Sequence, residues 1–204
     1  MFLDAPVTLF LLIVNGLIGL YTFTTNPQLV GQMAFRPAAV LRDQEWYRFF
    51  TAGFLHVGWA HLLFNMLTLF FFGPVIEGVL GPLRFFILYI GSDVAANVVT
   101  LLRHRNNPAY SAVGASGAVS GVVFAYCLFD PFGLIYLFFI PVGIWAIVFA
   151  PAYILLSVYA AGQGGGRIAH EAHIGGALGG LALTVLLYPA SISFFLTQIQ
   201  ERFA

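Results

Sequence analysis

No lysine occurs among the 204 residues; all 8 basic residues are arginine, and they are balanced by 8 acidic residues to a formal net charge of zero. No basic run or patch is available to follow a phosphate backbone, so nucleic acid is not a partner to expect. Cysteine is nearly absent as well. The single Cys127 cannot form an internal disulfide, and it lies inside an apolar run, so it says nothing about redox compartment. Charge of either sign is scarce at 8% of residues, against about 25% in a soluble domain. With 60% hydrophobic residues and a mean hydropathy of +0.92, the chain reads as an integral membrane protein. Its first stretch, MFLDAPVTLFLLIVNGLIGLYTF, lacks a positive n-region and a clear A-x-A site, and reads as a retained helix.

What is present is long apolar runs. About 20 apolar helical residues span the ~30 Å hydrocarbon core. That length predicts six spans, near Val7–Thr24, Trp59–Leu80, Pro82–Leu102, Gly114–Phe129, Phe132–Ala160 and Ile168–Tyr188. Pro141 and Pro151 predict a kink or a broken start in the fifth. No strand alternation, repeat or soluble domain stands out. The chain is expected to be one all-α membrane domain over 1–204, with 189–204 a short tail. Between spans one and two lies a connection of about 34 residues, Thr25–Gly58, too long for a turn. It mixes Arg36, Arg42, Asp43, Glu45 and Arg48 with Trp46, Tyr47, Phe49, Phe50 and Phe54, as interfacial segments do. It is expected to fold on the membrane surface, partly as helix.

Polar groups inside spans are costly in lipid and point to function. Here they are His61, Asn65, Glu77, Asp93, Asn97, Ser116, Ser120 and His173. Spans two, four and six start on one face. At about 1.5 Å per residue, His61, Asn65, Ser116 and His173 lie within roughly 10 Å of that face. Gly117 and Gly121 on span four, and Gly176 and Gly180 on span six, are pairs four apart that allow close helix contact. Packing through these strips would bring Ser116 to His173. An imidazole beside a serine can take its proton. The free N–H groups at the start of span four, with His61 and Asn65 on one face of span two, can donate to an oxyanion. Glu77 at the far end of span two and Asp93 in mid-span leave no carboxylate at this depth, so a dyad is the simpler expectation. Taken singly, each residue has a plainer reading: small-residue packing for the serines, inter-helix hydrogen bonds for His61, Asn65 and His173, an interfacial place for His56. His170 and His173 are spaced to share a metal, but no further ligands of suitable spacing accompany them.

These motifs resemble the rhomboid intramembrane serine proteases. Trp46-x-Arg48 leads into FFTAGFLH; HLLFN carries His61 and Asn65; GASG carries Ser116; AHIGGALGG carries His173 and a glycine ladder; Glu77 and Gly81 end the second helix. The resemblance covers about residues 35–188. It implies a six-helix bundle with a water-filled cavity open to the extracytoplasmic side and no cofactor or metal. Ser116 would be the nucleophile, His173 the base, and the Ser116 N–H with His61 and Asn65 the oxyanion site. The implied substrates are single-span membrane proteins, cut near helix-destabilising segments with small residues. The implied location is the bilayer, as in a bacterial inner membrane. At Ser120 the chain departs from many bacterial members, which carry there an aromatic residue stacked on the histidine. The family's topology puts the termini in the cytoplasm. The arginine distribution points the other way, with Arg36, Arg42, Arg48, Arg103, Arg105 and Arg167 opposite the termini, and Arg84 and Arg202 beside them. A catalytically inactive rhomboid-fold protein that binds membrane clients is the alternative function. A small transporter or metal-binding membrane protein using His61, His170 and His173 is a third.

Overall fold

A computed structural model describes residues 4–137, 140–163 and 169–204. Helix α1 (Pro6–Thr24) opens the chain. Short helices α2 (Gln28–Met33), α3 (Pro37–Asp43) and α4 (Arg48–Thr51) and a 3₁₀ turn (Ala52–Phe54) follow. Then come α5 (Trp59–Leu80), α6 (Pro82–His104), α7 (Ser116–Phe129), strands β1 (Leu134–Leu137) and β2 (Ile140–Trp145), α8 (Ala146–Gln163), α9 (His170–Leu187) and α10 (Ala190–Phe203). Among the described residues α1, α5 and α6 are long and apolar enough to cross a membrane. So is the pair α9 and α10, bent by 103° at their junction. The chain is therefore a helical, multi-pass integral membrane protein with three, or up to four, clear apolar spans; α7 and α8 are shorter apolar helices.

Helix α7 is the axis of the bundle, buried at 12 of its 14 positions. Its residues Ala118, Val119, Val122 and Ala125 meet Leu69 and Ile76 of α5 and Phe85, Leu88 and Tyr89 of α6 in one core. Without a hydrophobic force between helices in lipid, such contact rests on shape, and small residues permit it. A Cβ on Gly176 would land on the Gly117 backbone, and one on Gly180 would land on Gly121. The neighbouring Gly175 and Gly179 face Val99 and Ala95 of α6 in the same way. So α9 presses two glycine rows against two helices at once. No space remains even for alanine, a stricter limit than the residues larger than alanine that small-xxx-small spacing alone excludes. At the other end of the bundle the Glu77 carboxylate accepts from the N–H groups of Val7 and Thr8, at 2.9 and 2.7 Å, and from the Thr8 hydroxyl. It thereby satisfies the free donors at the start of α1 and complements its dipole.

The broken start expected of the fifth apolar stretch is a pair of strands, so the expectation of an all-α chain needs correction. Leu134–Leu137 and Ile140–Trp145 pair antiparallel, Leu134 opposite Trp145, with a register irregularity after Tyr136. Pro141 has no N–H to give a helix, and the β-branched Ile135, Ile140, Val142 and Ile144 favour extended backbone. Because both faces of this hairpin are apolar, no alternation marks it in the sequence. Residues 138–139 are outside the described residues, as are Arg167 of the expected loop and Ile168, the expected start of span six. The tail is also more than a tail. Helix α10 packs on the bundle through Gln198, whose side-chain amide donates to the Phe129 carbonyl at 2.8 Å, and Arg202 lies over the rings of Phe132 and Trp145.

A polar clasp joins α6, the following loop and α9. One Glu171 carboxylate oxygen lies 2.8 Å from His104 Nε2 and accepts from the Tyr110 hydroxyl at 2.6 Å, while the His104 and Tyr110 rings stack at 3.6 Å. Burial, together with the bond to Glu171, raises the Tyr110 phenol well above its ordinary pKa, so it stays a donor. Removing the shared acceptor leaves two half-buried groups without that partner, each at no more than about 1–3 kcal/mol. Glu171→Ala should therefore lower the melting temperature more than Tyr110→Phe, with the double variant milder than the sum. Gly176→Ala and Gly180→Ala should each destabilise by about 1–3 kcal/mol through overpacking, and valine at either position by more. Melting of purified variants in one detergent, followed by light scattering, tests both. Gly176→Ala melting like wild type would show that α7 and α9 do not meet through these glycines.

Candidate active site

The site is built by bringing the chain ahead of α7 against the folded segment between α1 and α5. Arg48 is buried there. Its guanidinium donates to the Ala34 carbonyl at 2.6 Å and pairs with Glu45 at 2.5 Å. Thr51 bonds the Met33 carbonyl, and Asn97 of α6 bonds that of Phe49. Onto this platform Ala112 pairs with Phe35 through two backbone hydrogen bonds of 2.9 and 3.0 Å, and the Gly114 N–H donates to the Ala52 carbonyl. Gly114 has φ +134°, and the imidazole of His61 fills the place its Cβ would take. Glycine is required here for both reasons. The chain then turns into α7 at Ser116.

Ser116 Oγ lies 2.8 Å from Nε2 of His173, in the first turn of α9. The glycine contacts of the two helices set this approach. Asn65, buried on α5, donates one amide hydrogen to the His61 carbonyl at 3.0 Å and has a second left over. His61 Nδ1 is buried with no hydrogen-bond partner among the described residues. Its ring meets that of His56 edge-on at 5.0 Å. His56 faces neither solvent nor lipid. It is fully buried with both ring nitrogens unpaired among the described residues, and burial, with His61 beside it, pushes its pKa down to about 3. It is a neutral packing partner of His61. Among the described residues no three His, Cys, Asp or Glu side chains gather as a metal site. His170 meets the His173 ring edge-on at 6.1 Å.

A cavity of about 750 Å³ opens beside Ser116, between α5, α7, β1 and α8. Asn65 and Ser116 reach it at one end, and Phe71, Leu134 and Tyr136 line its apolar walls. A water-sized space of about 20 Å³ lies behind Ser116, bordered by Gly53, Asp93 and Asn97. Asp93 itself is buried against Gly53, away from the mouth of the cavity.

Sequence reasoning missed two groups here. Glu171 puts a carboxylate at the depth of His173, contrary to the expectation of none. Two residues apart on a helix, the two side chains point to different sides, and Glu171 is spent on His104 and Tyr110. Its place directly after His170 in a short acidic-poor chain was the available signal. The other is Tyr153 of α8, which bonds Ser120 at 2.8 Å and stacks beside His173. Nothing in the apolar run AIVFAPAYILL separates it from a lipid-facing ring.

Comparison with known proteins bears on the family of the chain. YdcA, a rhomboid protein of Bacillus subtilis (strain 168), is 42% identical over 82 residues, 40% of this chain and 40% of its own length. Rhomboid protease GluP of the same organism is 29% identical over 173 residues, 84% of this chain and 31% of its own. Inactive RHOMBOID-like protein 8 of Arabidopsis thaliana is 32% identical over 85 residues, 42% of this chain and 24% of its own. The chain thus covers well under half the length of these relatives. The family profile described as Rhomboid domain matches residues 43–190, the stretch that holds the Arg48 platform, the glycine contacts and the Ser116–His173 pair, and the chain belongs to the rhomboid family.

Proposed function

We propose that this protein is an intramembrane serine endopeptidase that works with a Ser116–His173 dyad. The 2.8 Å contact between Ser116 Oγ and His173 Nε2, at the end of a cavity walled by apolar side chains, carries the reading. His173 Nε2 takes the hydroxyl proton as Oγ attacks a peptide carbonyl carbon. The oxyanion forms beside the first N–H groups of α7, which have no carbonyl one turn below, and beside the Asn65 amide and His61. As the C–N bond breaks, His173 returns the proton to the leaving amine. The acyl ester on Ser116 is then hydrolysed by water, with His173 again the base. Glu171 has no part in proton transfer.

The proposed substrates are single-span membrane proteins with a segment that unwinds readily near small residues, since a peptide bond must leave its helix to reach Ser116. We read α1, α5, α6, α7, α8 and α9 as six crossings. The 14 residues of α7 rise about 21 Å, short of the ~30 Å core, so at least one of its ends lies inside the core. In this reading that end is Ser116, and water reaches it through the cavity. The site would open to the extracytoplasmic side of a bacterial inner membrane. Arg48 is committed to the fold, and this removes one of the arginines that argued for the reverse orientation.

Cleavage of a single-span reporter by purified protein in liposomes tests this. Ser116→Ala and His173→Ala should each abolish cleavage with little change in melting temperature, and the double variant should be no worse than either, because nucleophile and base act as a unit. Asn65→Ala should keep some activity, losing about 10²–10³ in turnover. An active Ser116→Ala protein would remove Ser116 as nucleophile. A wild-type chain that binds reporters without cutting any would favour the catalytically inactive, client-binding reading.

A further inference from the structure

His173 has a hydrogen bond on one side only. Nε2 faces Ser116, but among the described residues nothing bonds Nδ1. Histidines that act as bases are ordinarily held in plane and tautomer by a partner on the second nitrogen. Rotation about the terminal torsion of the side chain is soft. The ring plane of His173 must therefore be set by what packs on its faces. His170 touches it edge-on. The flat contact comes from Tyr153, whose ring centroid lies 6.3 Å away with the planes 26° apart, an offset stack.

Tyr153 is itself held. Its hydroxyl lies 2.8 Å from Ser120 Oγ, and its ring is braced by Phe124 of α7 at 5.7 Å and Phe149 of α8 at 5.6 Å. Ser120 stands one turn after Ser116 on α7, so the two hydroxyls share a helix face. One serine meets the histidine, and the other holds the phenol that stacks beside the histidine. Helix α8 otherwise contributes few buried positions: Ala146 and Ser157 are its buried residues among those described. Through Tyr153, α8 reaches Ser120 of α7 and His173 of α9.

We propose that Tyr153, anchored by Ser120, is the positioning residue that sets the ring plane of His173 for proton transfer with Ser116. The proposal rests on the dyad reading above. It replaces the missing Nδ1 partner by an aromatic face supplied from a different helix. It also makes the seat of α8 against α7 a condition for an aligned base. The ring is the working part, and the hydroxyl pair with Ser120 fixes the ring.

A fluorophosphonate probe tests this without a protein substrate. Ser116 Oγ bonds to phosphorus, the P–F bond breaks, fluoride leaves, and His173 takes the hydroxyl proton. Inactivation of the full-length protein in one detergent gives kinact and KI separately. Tyr153→Leu should lower kinact at least about tenfold with KI within about twofold, since misplacing a base by about 1 Å costs up to roughly a hundredfold. Tyr153→Phe keeps the ring and should restore kinact to within about threefold of wild type. Ser120→Ala should match Tyr153→Phe, and the two together should be no worse than either, because both remove one bond. Tyr159→Leu, a ring loss at an exposed site on α8, should leave kinact unchanged. A kinact within twofold of wild type for Tyr153→Leu overturns the proposal. So does a loss in Tyr153→Phe as large as in Tyr153→Leu, or a loss in Tyr159→Leu of that size. Should Tyr153→Leu melt far below wild type, the Phe and Ser120 variants decide alone: additive losses overturn the coupling. Absence of labelling at Ser116 in the wild type is a different result, and counts against the dyad itself.

Discussion

The backbone contact between α7 and α9 is the constraint from which the rest follows. Two α-carbons of α9, at Gly176 and Gly180, sit where Cβ atoms would enter the backbone of α7 at Gly117 and Gly121. At this separation a side chain in the first turn of one helix reaches its counterpart in the first turn of the other without extended linkers. Ser116 stands next to Gly117, and His173 stands three residues before Gly176, so the geometry of the glycine strip and the 2.8 Å Ser–His contact are one feature seen at two heights. In lipid, where apolar side chains gain nothing by leaving the solvent for each other, this shape fit has to do what burial does in water.

The polar groups of the bundle divide by task in a way that depth alone does not reveal. Glu77 caps α1, Glu171 ties α6 to α9, and Asn97 and Arg48 build the platform for the chain entering α7. Each is satisfied by a fixed partner, as buried polar groups must be. Other buried groups keep spare capacity; among the described residues these include His56, Tyr89 and Ser191 as well as His61 Nδ1 and the second Asn65 hydrogen. Asn65 lines the cavity with Ser116, and His61 lies against Gly114, two residues before it. These two, with the free N–H groups at the start of α7, are what the proposed oxyanion site consists of.

Membership of the rhomboid family fixes the framework, not the details of this chain. The matched stretch ends near residue 190, and α10 lies beyond it, folded across the far end of α7 through Gln198 and Arg202. The hairpin that precedes α8 lies inside the matched stretch and forms one wall of the cavity through Leu134 and Tyr136. Ser120, which departs from the aromatic residue of many bacterial members, is hydrogen-bonded to an aromatic residue from α8.

The sequence by itself determined that the chain lives in a membrane, because a near absence of charge leaves no other solvent for such long apolar runs. It also set the bounds of α1, α5 and α6, whose apolar length matches their helices, and it put Ser116, His173, His61 and Asn65 near one depth, because rise per residue is fixed. Three things were decided only by tertiary structure. Residues 134–137 and 140–145 paired as strands, since an apolar run is silent about period when both faces are apolar. Glu171 met His104 and Tyr110, and His56 packed against His61, a matter of which face meets which neighbour. Tyr153 came to lie beside His173, although 20 residues of chain separate them, because α8 and α9 both pack on α7. Contacts between helices depend on rotation about each axis, and apolar periodicity cannot specify rotation when nearly every position is apolar.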